Sequence, residues 1–354
     1  SLLLTLIAFL LFSCSSQKGK DSKIKQINIT DKIKEFNQND LELQVLKLQD
    51  TEDNLIGKID KLIVNNGIYI LDSRLSKSLY KFDMDGKLLF KISDVGSGPG
   101  EFYLPFDFDI SDSEIFILDL NQRKILSYDL NDGEFISELR YDFQTMSFAH
   151  IKEDIFAFHV DGREFENDLK QPLFWQLDLV ENKIIQEAVL EYPHTDYLST
   201  QFDFHRNNGT LIFSKAMHDT VYTIMNNKMV PLFSLSFKQN KPISDEVKSK
   251  DMIQARESII NNGLHYHNGG FIKSNNKLLF SWLDEQEQYV GCYDLKSEEF
   301  YNLKFTDLPI SKVFTNDNNR FVTSAFGYEF DKSSKYYSDT DYVNPYIIFF
   351  SFKE

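Results

Sequence analysis

Four histidines offer the most chemistry in this sequence: His150 in SFAHI, His205 in FDFHR, and His265 and His267 in LHYHN. His265 and His267 are two residues apart, so on a strand their side chains face the same way. Imidazoles converging in that manner can ligate zinc or a similar metal. Asp107, Asp109 and Asp203 add oxygen donors of the kind calcium takes. The pattern falls short of a defined metal motif, with no H-E-x-x-H and no cysteine cluster. Asp83-Met84-Asp85-Gly86 begins like a calcium loop but lacks the distal Glu, and a hairpin turn accounts for it. Nucleophilic catalysis has no support either, because G-x-S-x-G does not occur. No cofactor is therefore expected, and a divalent metal stays open. Trp175, Trp282, Tyr266 and Tyr328 can stack on sugar rings, although most aromatics of such a chain belong to its core.

These residues are positioned by a repeat of strands. Gly67–Ile92 (GIYILDSRLSKSLYKFDMDGKLLFKI) reads strand, turn, strand, Asp-Gly turn, strand, and Glu114–Leu139 reads the same almost position for position. Asp85-Gly86 and Asp132-Gly133 sit between alternating runs, a strong hairpin signal because such residues tolerate positive φ. One more apolar run precedes each block: KIDKLIV and FDFDI. Four strands in roughly 45 residues is the content of a propeller blade. Weaker copies follow, and the last lacks one strand. Leu41–Gln49 alternates cleanly ahead of the first block and can supply it, closing the ring. The expected fold is all-β: a six-bladed propeller over residues 39–354, with an N-terminal strand completing the last blade.

One segment breaks the repeat. Pro242–Gly263 has helical spacing in Val247, Met252, Ile253, Ile259 and Ile260, and Gly263 suits a helix end. It leads directly into Leu264-His265-Tyr266-His267. The expectation is a helical insertion over one mouth of the ring, with His205, His265, Tyr266 and His267 as the polar contacts of a site there.

Gly96-Ser97-Gly98-Pro99-Gly100 invites a phosphate-cradle reading, but a dinucleotide fingerprint must enter a helix, and here a strand follows. The loop is a turn between blades. The formal net charge of −16 and the absence of a basic cluster argue against nucleic acid and favour solubility or cations. Residues 1–13 form an apolar run of signal-peptide length, truncated at its start and short of the roughly 20 residues a membrane span needs. Residues 14–38 are expected to be a lipid-attachment Cys14 and a polar tether, leaving Cys292 as a small core residue with no intramolecular disulfide to form.

Leu11-Phe12-Ser13-Cys14 resembles a bacterial lipobox, and GSGPGEFYLP resembles the junction between blades of NHL-type repeats. With the six-blade count, the chain resembles the six-bladed propeller lipoproteins of Gram-negative bacteria. That resemblance implies a cell-envelope protein held to a membrane by its lipid anchor, on the periplasmic face or the surface. Envelope proteins, glycans or peptides are the partners to expect. Two functions stay in view: a non-catalytic binding module, and a lactonase-, lyase- or hydrolase-like enzyme with a channel site.

Overall fold

Alternating apolar residues build six twisted sheets, and each buries both faces against its neighbours around a common axis. The computed structural model describes residues 24–353 apart from 161–169, 192–202, 208, 217, 226–227, 238–240, 243, 249, 251, 285–286 and 340–342. Cys14 and the apolar run before it lie outside the described residues. Blade one is Lys61–Val64, Ile68–Asp72, Ser78–Phe82 and Leu88–Ile92, paired antiparallel in that order from the axis outward. Blade two runs from Pro105–Ile110 to Phe135–Arg140 and blade three from Thr145–Lys152 to Lys183–Glu191. Blade four runs from Phe204–Asn207 to Lys228–Ser236.

Blade five has a broken inner edge. Leu264–His267 and Ile272–Ser274 both pair with opposite ends of Lys277–Asp284, followed outward by Glu287–Asp294 and Glu299–Phe305. Blade six is Thr315–Asp317, Arg320–Ala325 and Tyr346–Phe352, and Leu41–Lys47 is its outermost strand, from Leu41 opposite Phe352 to Lys47 opposite Tyr346. The ring therefore closes as its strand count requires.

The stretch assigned by its polarity to a tether holds a surprise. Lys25–Asn28 adds in parallel to the outer edge of blade four, and Ile33–Phe36 does the same on blade five. Ile27 and Ile29 are buried in the core between these blades, and Phe36 in the next cluster round the ring. The tether is thus shorter than expected, because three apolar side chains and the free edges of two sheets outweigh the charged residues between them. Residues 25–47 form a strap around the rims of blades four, five and six.

Between the blades the core is mostly aromatic. Phe143, Phe148, Phe156 and Phe158 fill the space between blades two and three, and Phe174, Phe204 and Phe213 that between blades three and four. The helical insertion is present as Asp245–Lys248 and Met252–Asn262. Val247, Ala255 and Ile259 bury against Leu264 and Tyr266, whereas Ile253, expected on the same face, is exposed.

At the junction of blades one and two, the glycine loop cages its own carboxylate. Glu101 folds back and accepts the Gly98 N–H at 2.7 Å, while Gln122 donates to the Gly96 carbonyl at 2.9 Å. Two of the N–H groups that could meet a phosphate are thus taken up internally, that of Gly98 by the Glu101 carboxylate and that of Gly96 by the Phe102 carbonyl at 3.1 Å.

Candidate functional site

The innermost strands of the six blades converge on the axis, so their alternate side chains meet there. In FDFDI, Asp107 and Asp109 are two apart on the innermost strand of blade two and both project to the centre. Lys61 of blade one donates to Asp107 Oδ1 at 2.7 Å, and the same carboxylate accepts the N–H groups of Phe108 at 2.8 Å and of Phe148, in blade three, at 3.1 Å. Arg206 of blade four grips Asp109 with both arms, Nε at 3.2 Å and a terminal nitrogen at 2.8 Å, and also donates to the His150 carbonyl. His150 N–H completes Asp109 at 2.9 Å.

Each carboxylate thus joins three blades. Farther round, Asn207 donates to the Phe271 carbonyl and accepts the Lys273 N–H, and Asn316 of blade six donates to the Lys273 carbonyl. Burial pushes the Asp107 carboxyl up against the opposing pull of Lys61 and the two N–H groups. Burial acts the same way on Asp109, but the Arg206 guanidinium outweighs it and holds that carboxyl below its ordinary value. Within each of the two pairs, Lys61–Asp107 and Arg206–Asp109, the charges balance.

Among the described residues the axis keeps a cavity of about 40 Å³, walled by residues of all six blades, including Asp60, His205, Ile272 and Phe314. That is space for a few waters.

The residues expected to form one site are divided. His205 lines this cavity beside Arg206, whereas blade five contributes Ile272 to it instead of His265, Tyr266 or His267. His265 packs edge-on against Trp282, with ring centres 5.8 Å apart. Tyr266 lies in the apolar cluster under the helices. His267 is fully buried; its Nδ1 accepts the Gly269 N–H at 3.1 Å and its Nε2 donates to the His218 carbonyl. A ring with both nitrogens engaged this way holds the chain, not a metal. Among the described residues no group of three or more His, Cys, Asp or Glu can hold a metal ion.

Asp107, Asp109 and Asp203, the oxygen donors considered for calcium, each face a basic side chain from another part of the ring. Asp203 meets His159 Nδ1 at 2.6 Å, and Lys215 approaches His159 Nε2 at 3.1 Å. Neither His159 nor Lys215 stood out in the sequence. Their one signal is a polar residue interrupting the apolar end of a second strand, in DIFAFHV and TLIFSKA.

Of the aromatic candidates for sugar stacking, Trp282 is buried with its N–H on Asn302 at 2.8 Å, and Trp175 packs edge-on to Phe143. Tyr328 is exposed and stacks on Phe326 at 5.5 Å. Cys292 is buried and free, its thiol pushed by burial up to about 11, which makes it unreactive.

At the mouth where the innermost strands begin, Lys312 lies with its ammonium 4.3 Å from the centre of the Phe314 ring. Burial brings its amine down to about 8, only partly countered by Asp60.

Comparison with known proteins gives one family: DUF5128, described as a 6-bladed beta-propeller, matches residues 15–329. A Bacteroides fragilis protein provisionally named as exported is 22% identical, with a TM-score of 0.74 over 91% of this chain and 100% of that one. The BamB protein of Moraxella catarrhalis is 11% identical, with a TM-score of 0.42 over 73% of this chain and 66% of that one. No curated protein matches the chain. At these identities the likenesses establish the fold alone.

Proposed function

Since the chain belongs to this family of six-bladed propellers, we propose that it is a binding module of the cell envelope, which presents loops on a rigid ring and performs no chemistry at its axis. One observation carries this reading. The axis, where propeller ligands commonly sit, is filled by the Lys61–Asp107 and Arg206–Asp109 pairs around a cavity of about 40 Å³. No sugar ring or peptide fits there, and both carboxylates are committed to structural partners. Contacts with a partner then fall to the two open faces and the blade loops.

Export and anchoring belong to the same proposal. Their support is the apolar run ending at Cys14 and the provisional naming of the Bacteroides fragilis neighbour as exported.

The test is a thermal-shift panel of glycans and peptides on the full chain, run beside chromogenic lactone and ester substrates. A stabilising glycan or peptide with no turnover supports the module. Turnover that falls in His205→Ala overturns it in favour of a channel enzyme.

A further inference from the structure

The outermost strand of blade four, Lys228–Ser236, is covered along only part of its length. The strap pairs with it from Phe233 to Ser236, and Ile24, the residue before that ladder begins, comes level with Leu232. Beyond that point, among the described residues, no strand pairs with the edge. Ile24, Leu232 and Val230 lie along it, and Met225 stands opposite Lys228 at the end of the hairpin. These four apolar side chains are each 40–56% exposed.

Charge sets this rim apart from the others. In every other blade the two outermost strands, with any turn joining them, carry Asp or Glu: Asp83 and Asp85 in blade one, Glu134 and Glu138 in blade two, Glu187 in blade three, Glu299 in blade five and Glu42 in blade six. In blade four, residues 220–236 carry neither, and their one charged residue is Lys228. A chain of formal net charge −16 thus keeps this rim free of carboxylates. An apolar edge without anions can approach anionic headgroups, which the other rims would repel.

The path of the chain supplies a third observation. Ile24 follows Cys14 by ten residues, and the apolar run of residues 1–13 comes before that. Ten extended residues reach about 35 Å at most, so a membrane attachment at Cys14 is held near blade four. Residues 15–23 carry Lys18, Lys20 and Lys23 against a single Asp21, a balance that anionic lipid attracts.

We propose that the rim of blade four, through Ile24, Met225, Val230 and Leu232 with Lys228 beside them, rests on an anionic phospholipid surface. The ring then stands edge-on to the membrane, with blade one farthest from it and both mouths open to partners. This inference rests on the reading of Cys14 as an anchor and adds the orientation that the anchor imposes.

Flotation of the full chain with vesicles of phosphatidylcholine and phosphatidylglycerol, beside Cys14→Ala, reads attachment. Orientation is read separately, by adding one tryptophan and measuring its quenching by lipids brominated on the acyl chain near the headgroup. Leu232→Trp places it on blade four. Leu89→Trp places it on the outermost strand of blade one, three blades away, where Leu89 is similarly exposed. Melting curves check that both variants fold, and the native Trp175 and Trp282 set a common baseline. The expected result is flotation that Cys14→Ala weakens, with quenching at least threefold greater for Leu232→Trp than for Leu89→Trp. Equal quenching, or none, in a chain that floats overturns the orientation and leaves the anchor standing. Equal flotation of parent and Cys14→Ala overturns the anchor, while quenching confined to Leu232→Trp still supports the rim. A parent that does not float overturns both. A dimer in sedimentation that Val230→Glu/Leu232→Glu returns to monomer assigns the rim to a second copy and overturns the proposal.

Discussion

Replacing Arg206 by Met removes one half of the ion pair that fixes Asp109 at the axis. The Asp109 side chain is 5% exposed and keeps the His150 and Ile110 N–H groups and the nearby Lys61 charge, whereas the Arg206 side chain is 31% exposed. Breaking a buried pair from one side costs about 3–5 kcal/mol, and the partial exposure of Arg206 points to the lower end. For a chain of this length the unfolding entropy is about 0.7 kcal/mol/K, so the melting temperature should fall by about 4–7 °C. Arg206→Met/Asp109→Asn should lose less than Arg206→Met alone, because no charge is then stranded.

The pH dependence follows from Asp109, whose carboxyl is held below its ordinary value. A depressed carboxylate contributes stability above its unfolded value of about 3.9, and loses it as pH falls through the folded value. The gap in melting temperature between parent and Arg206→Met should accordingly shrink as pH falls, beginning above about pH 4 because burial raises the stranded Asp109 carboxyl of the variant, and continuing through the depressed value of the parent. Calorimetric scans from neutral to acid pH read both quantities. A single variant that melts within about 1 °C of the parent at neutral pH would refute the reasoning.

Ile29→Ala removes a fully buried side chain of the strap and should cost about 2–5 kcal/mol, read as a lower urea midpoint; an unchanged midpoint would detach the strap from the fold. Gly86 has φ +83°, and a Cβ there would meet the Lys47 carbonyl oxygen at 2.4 Å, so Gly86→Ala should destabilise by more than the roughly 1–2 kcal/mol of a left-handed residue alone. Calorimetric melting checks it. Carbon-13 reductive methylation followed by NMR titration should show Lys312 losing its charge near pH 8, as burial dictates, and its resonance titrating with the surface lysines would contradict this. Labelled palmitate should enter the full-length protein and not Cys14→Ala; equal labelling of both ends the lipid-anchor proposal.

Blades one and two are legible in the sequence because their hairpins are local. Asp85-Gly86 and Asp132-Gly133 sit between strands a few residues apart, and alternation states which side chains turn inward. Closure is legible for a different reason: a ring with one strand too few at its end needs one from elsewhere, and Leu41–Lys47 has the right alternation. The strap is not, because parallel addition to a sheet edge is made of backbone hydrogen bonds, and KQIN and IKEF carry too few apolar residues to advertise it. The site is the least legible part. Asp107 and Asp109 invite a metal until their partners are known, and Lys61 and Arg206 belong to other blades, so no local spacing announces the pairs. His267 likewise reads as a ligand until its two nitrogens are found holding Gly269 and His218.

The strap and the closing strand also set an order in time. Residues 25–47 precede every blade in the sequence, yet their partners are Phe233–Ser236, Asn302–Phe305 and Tyr346–Phe352. Blades one, two and three can each form as they emerge, because their strands are neighbours in sequence. Blade six cannot, since its outermost strand, Leu41–Lys47, must wait for Tyr346–Phe352, some 300 residues further on. Until Tyr346–Phe352 is in place the ring is an open arc, and pairing that strand with Leu41–Lys47 is the event that turns the arc into a circle.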